Sequence, residues 1–317
     1  MKVSIITLPF RKTHLIQPVY DAIFGQTHQD IEVIAVINDS ADGSKEILQK
    51  NYPQVKIVEA GRNIFFAKGI NLGIRNSTGE FIQLVNDDLI LEPSYVEELL
   101  KAFGDPKVAA ATGKVLRYDF TQHQKLNLID TTGLVWSPSG RVRDRGQLQE
   151  DHGQFDHQTE IWGVSGAASM YRRSALEKVK FQGEFFDEDF VMYWEDADMS
   201  WRLNNSMYVH RYVPRAVAYH GRTAGQAKGG YLHLWEFIKH HQKFNPQILK
   251  WNYKNHILMY IKNAKHLWHP AFLLRELAML AYVIVFETAT LAVVPEIFRQ
   301  LPRIWTKRKA RPNVTVR

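Results

Sequence analysis

Four strand-like segments in the first hundred residues, at 3–8, 31–37, 55–59 and 80–85, set the tightest limit on how this chain folds. A helical pattern follows each of them. After the first run, over 14–24, Ile16, Val19, Tyr20 and Ile23 are spaced for one helix face. Further helices are expected over 44–51, over 66–76, and after Pro93. Strands that are apolar throughout, joined by helices, make a mostly parallel sheet with helices on both faces. The expected class is therefore α/β.

In such sheets, ligands bind beyond the carboxyl ends of the strands. Asp39 follows the second run, and Asn86-Asp87-Asp88 follows the fourth. Asp42 and Ser44 read as an Asx-turn and a helix cap. Adjacent carboxylates such as Asp87 and Asp88 repel each other, and a divalent cation with hard oxygen ligands relieves that repulsion. A third acidic cluster begins with Asp187, Glu188 and Asp189, which read as loop acids near a helix start. Glu195 and Asp196 then head a helix beginning near Trp194. Trp194 and Trp201 can wall a carboxylate with apolar surface and raise it toward the pKa of a useful base. Asp198 has Arg202 four residues on as an ion-pair partner. His220 follows a strand-like run and can complete a metal site. Taken alone, it reads as a core or surface histidine.

The middle of the chain is more mixed, with short strands expected at 108–112, 133–136, 164–171 and 209–213. Residues 118–160 are polar and read as a mobile loop over a site. From Tyr231 onward the pattern is helical. The apolar stretch 277–294, interrupted by Glu287, Thr288 and Thr290, is at the lower limit for a membrane span of about 18 residues. A glutamate near its middle costs about 2.5–3.5 kcal/mol on insertion, so an interfacial or buried helical hairpin is expected. The apolar start is too short for a leader, which implies a cytosolic protein.

Several chemistries are excluded. With no cysteine, there are no disulfides, thiolate nucleophiles or cysteine zinc sites. Neither a P-loop nor a Gly-rich dinucleotide fingerprint is present. Gly163-Val164-Ser165-Gly166-Ala167 is one residue short of a nucleophile elbow and lies on an expected strand, which excludes a serine hydrolase. The formal charge of +7 sits entirely in the last residues: Arg299, Arg303, Lys307, Arg308, Lys309, Arg311 and Arg317, with no acid among them. Such a tail suits an anionic surface or is simply solvated. No stacking platform or recognition helix accompanies it, so no nucleic-acid partner is expected.

The order of these motifs resembles a family 2 glycosyltransferase with the GT-A fold, in the bacterial branch that includes rhamnosyltransferases and galactofuranosyltransferases. The matching stretches are 3–9, 36–44, 62–73, 79–88, 163–173, 185–190, 194–202 and 213–220. The resemblance implies that Asp39 binds the nucleobase, and that Pro9, Asn63, Lys68, Asn71, Asn86 and Asp87 line the nucleotide. Asp88 and His220 would hold Mg2+ or Mn2+, Asp196 would be the catalytic base, and Gly166, Trp194 and Glu195 would border the acceptor. It further implies a catalytic domain over 1–228, divided into a nucleotide half (1–104) and an acceptor half (105–228). A helical, membrane-associating region with a basic tail would fill 229–317. The implied reaction is inverting transfer from a nucleotide-diphosphate sugar, dTDP-rhamnose being one candidate, to a lipid-linked or cell-envelope glycan. The implied partners are that donor, a glycan or polyprenyl-linked acceptor, and the anionic inner-membrane surface, where the protein would sit peripherally on the cytoplasmic side. Two departures stand out. Leu8-Pro9-Phe10-Arg11 replaces the common Pro-Thr-Tyr-Asn, and Phe65 stands where a glycine is usual. A nucleotidyltransferase and a catalytically inactive, membrane-recruited binding module remain the alternatives.

Overall fold

The structure is a computed structural model and describes residues 1–222, 238, 241 and 243–311. Its first part alternates β1 (Val3–Thr7), α1 (Ile16–Phe24), β2 (Ile31–Ile37), α2 (Ser44–Asn51), β3 (Lys56–Glu59), α3 (Phe65–Arg75) and β4 (Phe81–Val85). β1 pairs in parallel with β2 and β4, and β2 with β3. All five residues of β1 and of β4 are buried, the polar Ser4, Thr7 and Gln83 among them, as a sheet covered on both sides requires. Val3 and Ile5 pack with α1 on one face, while Ile6 packs with Ile70 and Ile74 of α3 on the other.

The second part adds β5 (Leu89–Leu91), α4 (Tyr95–Ala102), β6 (Val108–Asp119), β7 (Gln124–Thr131), β8 (Leu134–Trp136), β9 (Val142–Asp144), β10 (Glu160–Ile161), β11 (Met170–Arg172), α5 (Arg173–Val179), α6 (Glu195–Asn205) and β12 (Val209–His220). The main sheet has ten strands. It runs β10-β12-β6-β11-β4-β1-β2-β3, with β5 on β12 and β7 on β6. β11 is antiparallel to both of its neighbours and joins the two parts.

Two expectations fail in this region. The supposed loop over 118–160 contains β7 and the β8–β9 hairpin. β7 leaves Gln124, Lys125 and Asn127 exposed while Ile129 is buried, and an edge strand with a polar outer face reads like a loop. The strand expected over 164–171 shrinks to Met170–Arg172. The segment before it turns toward α6: Val164 N donates to Ser200 Oγ and Gly166 N to Asp196 Oδ2, so those groups leave the ladder.

The C-terminal helices are α7 (Pro246–Asn263), α8 (Pro270–Phe286) and α9 (Val294–Ala310). The domain boundary expected at 228/229 lies outside the described residues. Among the described residues, no single helix is long and apolar enough to cross a membrane. α8 and the helical stretch after it, bent by 118°, reach that length and composition together. α8 turns its charged residues inward, with Arg275 Nη1 2.8 Å from His256 Nδ1. Leu274, Leu277, Ile284 and Val285 are left exposed.

The basic tail is not a free tail. Arg303 pairs with Glu184 and Asp189, and Lys307 is buried against Asp187 and Asp189 at 2.5 and 2.7 Å. Arg308 donates to the carbonyls of Ile261 and Ala264, and Arg311 to those of Asn263 and Ala264. Arg317 lies outside the described residues. Asp187 and Asp189 are correspondingly more than loop acids: Lys262 of α7 also reaches Asp187, at 2.5 Å, and Asp198, at 2.8 Å. Asp198 keeps its expected partner Arg202 at 2.9 Å.

Candidate active site

Two recesses open at the carboxyl ends of the strands. The larger, about 530 Å3, is lined by Phe10, Asn63, Phe65, Asn86 and Asp87 from the sheet side and by Trp251 of α7 opposite them. Asn38 Oδ1 accepts from Ile64 N at 2.8 Å, and Asn63 Oδ1 accepts from Phe65 N at 2.9 Å, which fixes the loop entering α3. The two sequence departures both fall on left-handed backbone, Arg11 at φ 56° and Phe65 at φ 61°. Asparagine and glycine adopt that region at least cost, so this chain carries strain at both places. Arg11 compensates by donating its backbone N to Asp42 Oδ2 at 2.8 Å and its guanidinium to Asp39 Oδ2 at 3.0 Å. The bond from Arg11 and that from Ala41 N hold the Asp39 carboxyl below its usual range. Asp42 also accepts from Ser44 N at 2.8 Å, the expected Asx-turn.

Next to Asp87, Lys12 Nζ lies 2.9 Å from both Asp87 Oδ1 and Asp88 Oδ2. Asp88 Oδ1 meets His220 Nε2 at 3.0 Å, and His220 Nδ1 meets the fully buried Asp130 at 2.8 Å. Burial alone lowers the pKa of His220, but hydrogen bonds and charge from Asp130 and Asp88 outweigh it and raise the ring to about 9. Burial pushes Asp88 up, and His220 and Lys12 more than reverse this, leaving it well below the usual carboxylate range. For Asp87, burial outweighs Lys12 and the carboxyl titrates above its ordinary value.

The chemistry of this set fits a divalent cation. A hard carboxylate faces an imidazole nitrogen, and the opposite ring nitrogen is oriented by a buried carboxylate, the usual support for a metal-binding histidine. Among the described residues, no group of three His, Asp or Glu side chains is placed to hold a metal ion. Asp88 Oδ1 and His220 Nε2 are two donor atoms facing each other at 3.0 Å.

The smaller recess, about 270 Å3, is lined by Tyr193, Trp194, Glu195 and Asp196 on one side and by Asp144 and Arg222 on the other. Asp196 Oδ2 accepts from Gly166 N at 3.0 Å, and Oδ1 accepts from Ala197 N at 2.7 Å. Burial raises the pKa of Asp196, and those backbone donors offset part of the rise. Glu195 Oε2 has no hydrogen-bond partner among the described residues. Burial and then the charge of Asp196 push Glu195 up to about 8. Trp194 donates its indole N–H to Asn252 Oδ1 at 3.0 Å.

Asp87, Asp88 and His220 thus converge, and Asn63 and Asn86 share a recess with Asp87. Gly166, Trp194, Glu195 and Asp196 form a second group. Four of the named residues stand apart, the first being Asp39, which lines neither recess and is paired with Arg11. Pro9 is buried, Lys68 is exposed on α3 and lines neither recess, and Asn71 is buried with its side chain clamping Phe186 N and O at 2.8 and 2.7 Å. Sequence reasoning missed Lys12, Asp130, Asp144 and Arg222. Lys12 carried a signal, because it follows the first strand just as Asp39 and Asp87 follow theirs. Asp130 lay in the segment read as a loop.

The glycosyl transferase family 2 profile matches residues 4–180. This chain belongs to glycosyl transferase family 2. The glycosyltransferase is 25% identical over 238 residues to an N-acetylglucosaminyl-diphospho-decaprenol L-rhamnosyltransferase of Mycobacterium tuberculosis, covering 66% of this chain and 72% of that one. It is 23% identical to a poly-beta-1,6-N-acetyl-D-glucosamine synthase of Staphylococcus epidermidis, over 68% of this chain and 49% of the synthase. A solved mannosyltransferase of Pyrobaculum calidifontis, in complex with GDP-Man and Mn2+, superposes with a TM-score of 0.55 at 16% identity, covering 97% of this chain and 84% of that one. That likeness bears out the GT-A fold. Membership of the family also sets aside the nucleotidyltransferase alternative. Glu195, Asp196, His220 and the C-terminal helices all lie beyond the residues matched by the family profile.

Proposed function

We propose that this glycosyltransferase holds a nucleoside-diphosphate sugar in the larger recess and passes the sugar to a hydroxyl in the smaller one by a single inverting displacement. One observation carries the reading: the two recesses share a wall, with Met192 lining the first and Tyr193 through Asp196 the second. The first recess ends at Asp87, beside the Asp88–His220 pair, and the second ends at a carboxylate pair of raised pKa. Asp39 and Asn63 orient the nucleoside. Asp88 and His220 hold Mg2+ or Mn2+, with His220 deprotonated and kept in its tautomer by Asp130. A cation there would neutralise charge building on the departing diphosphate. Lys12, released from the two aspartates, adds a positive charge at the same place. Asp196 takes the acceptor proton as the hydroxyl attacks from the opposite face. Two backbone donors keep its carboxylate aimed, whereas Glu195 is buried with an unpaired oxygen.

The acceptor is proposed to be a lipid-linked or cell-envelope glycan met at a membrane surface, with the enzyme peripheral to it. The exposed apolar face of α8 supports that placement better than the basic tail, most of which is folded against the protein. The reading is tested by incubating the protein with a panel of nucleotide sugars and prenyl-diphosphate-linked acceptors. Release of nucleoside diphosphate and a product of inverted anomeric configuration are expected. Retained configuration would remove the single displacement, and no donor turnover at all would leave the inactive-module alternative standing.

A further inference from the structure

The strip joining the two recesses runs through backbone that residues with side chains avoid. Val191 lies at φ 63°, ψ −65°, with Met192 N donating to Phe190 O at 2.6 Å, a γ-turn of the rare, strained hand centred on a β-branched residue. Tyr193 and Trp194 follow at φ 68° and 72°. Strained residues of this kind persist only where the surroundings over-determine them, and they gather at functional sites.

Here the surroundings come chiefly from α7. Asn255 is fully buried, and its Nδ2 lies 2.6, 2.9 and 3.0 Å from the carbonyl oxygens of Phe190, Met192 and Tyr193. Two amide hydrogens serve three acceptors, while Oδ1 has no partner among the described residues. A reversed amide would set Oδ1 against three carbonyls, so the carbonyls fix its orientation. Lys254 Nζ donates to Asp189 O at 3.0 Å on one flank, and Asn252 takes the Trp194 indole on the other. Helix α6 is fastened separately, through Asp198 to Lys262 and Asn263 of α7. Loss of the Asn255 amide would therefore let the strip relax while the fold stays in place.

We propose that Asn255 is a positioning residue for the transfer reaction. By gathering three carbonyls within four residues onto one amide, it holds the strained strip so that Met192 faces one recess and Glu195 and Asp196 face the other. The residue lies outside the part of the chain matched by the family profile.

The inference rests on the transfer reaction proposed above. If the wild type transfers no sugar, that reading falls; if it does, the variants decide the role of Asn255. Asn255→Ala should lower kcat about 30- to 100-fold with donor KM within about threefold, since a misplacement near 1 Å has that scale of effect. Asn255→Ser keeps one donor and should recover about tenfold of the lost kcat. Arg308→Ala, which also removes a side chain donating to buried carbonyls, controls for stability. It should lower the melting temperature while leaving kcat within about twofold. Should Asn255→Ala fail to fold, Asn255→Ser is judged by the same split between kcat and KM. The proposal is overturned if Asn255→Ala keeps kcat within about threefold of wild type, or if Arg308→Ala loses as much kcat for an equal loss of melting temperature.

Discussion

Two acidic clusters flank the carboxylate pair Glu195–Asp196, and they are neutralised in opposite ways. In front, Asp87 and Asp88 meet Lys12, whose side chain is 34% exposed, and the protonated ring of His220. Behind, Asp187 and Asp198 meet Lys262 and Lys307, exposed by 5% and 1%, together with Arg202. A flexible side chain and an exchangeable proton can both yield to a ligand's charge. Ammonium groups buried between two helices and a loop cannot. Similar charges thus suit the proposed binding site in one place and a fastening in the other, and the difference lies in whether the countercharge can leave. The pair between them forms no ion pair among the described residues, which leaves its proton affinity available for chemistry.

That contrast is sharpened first at the pair itself. Asp196→Asn keeps the shape and removes the basicity, so transfer should fall by about 10²–10⁴-fold while donor binding, followed by calorimetry, stays nearly constant. Glu195→Gln should be milder, and the opposite order of severity would exchange their roles. Next in size is Lys307→Met. It strips a buried partner from Asp187 and should cost about 3–5 kcal/mol in denaturant unfolding. Deleting residues 299–317 removes the same partner, so it would unsettle the fold as well as any membrane contact.

A smaller effect is expected in front. Lys12→Met should cost less than about 1 kcal/mol in stability. It should also tighten Mn2+ binding to the donor-free protein, because an internal competitor is gone. A loss as large as that of Lys307→Met would make the front cluster a fastening too, and the contrast would collapse.

A further effect is a slope with pH. Burial and Asp196 hold Glu195 at about 8 against an ordinary 4.5. Between those values the folded chain binds more protons than the unfolded one, so stability is fullest below the window and declines as pH rises through it. Glu195→Gln removes that decline, and its melting temperature should gain on wild type from pH 5 to pH 8. A difference independent of pH would contradict the assignment.

The elements legible in the sequence were those whose reasons are local. β1, β2 and β4 follow from apolar runs, Asp39 and Asp87 from their place after strands, and the Asp198–Arg202 pair from a spacing of four. What stayed hidden depends on partners distant along the chain. Lys307 meets Asp187 across 120 positions, and His220 meets Asp130 across 90. Seven cations in nineteen residues look like a free basic tail until those partners are known. β7 was hidden for another reason, since an edge strand shows solvent the same polar face that a loop does. Asn255 had no signal at all, because its role exists only against a turn that Val191 gives no local reason to form.

Helix α8 carries its charges toward the protein and its leucines toward the outside. If that face is seated in lipid, as proposed, the enzyme would meet a lipid-borne acceptor by searching a plane instead of a volume. The variable that sets its rate would then be the acceptor's mole fraction in the membrane. Adding inert lipid at constant total acceptor would slow the reaction, while adding water would not.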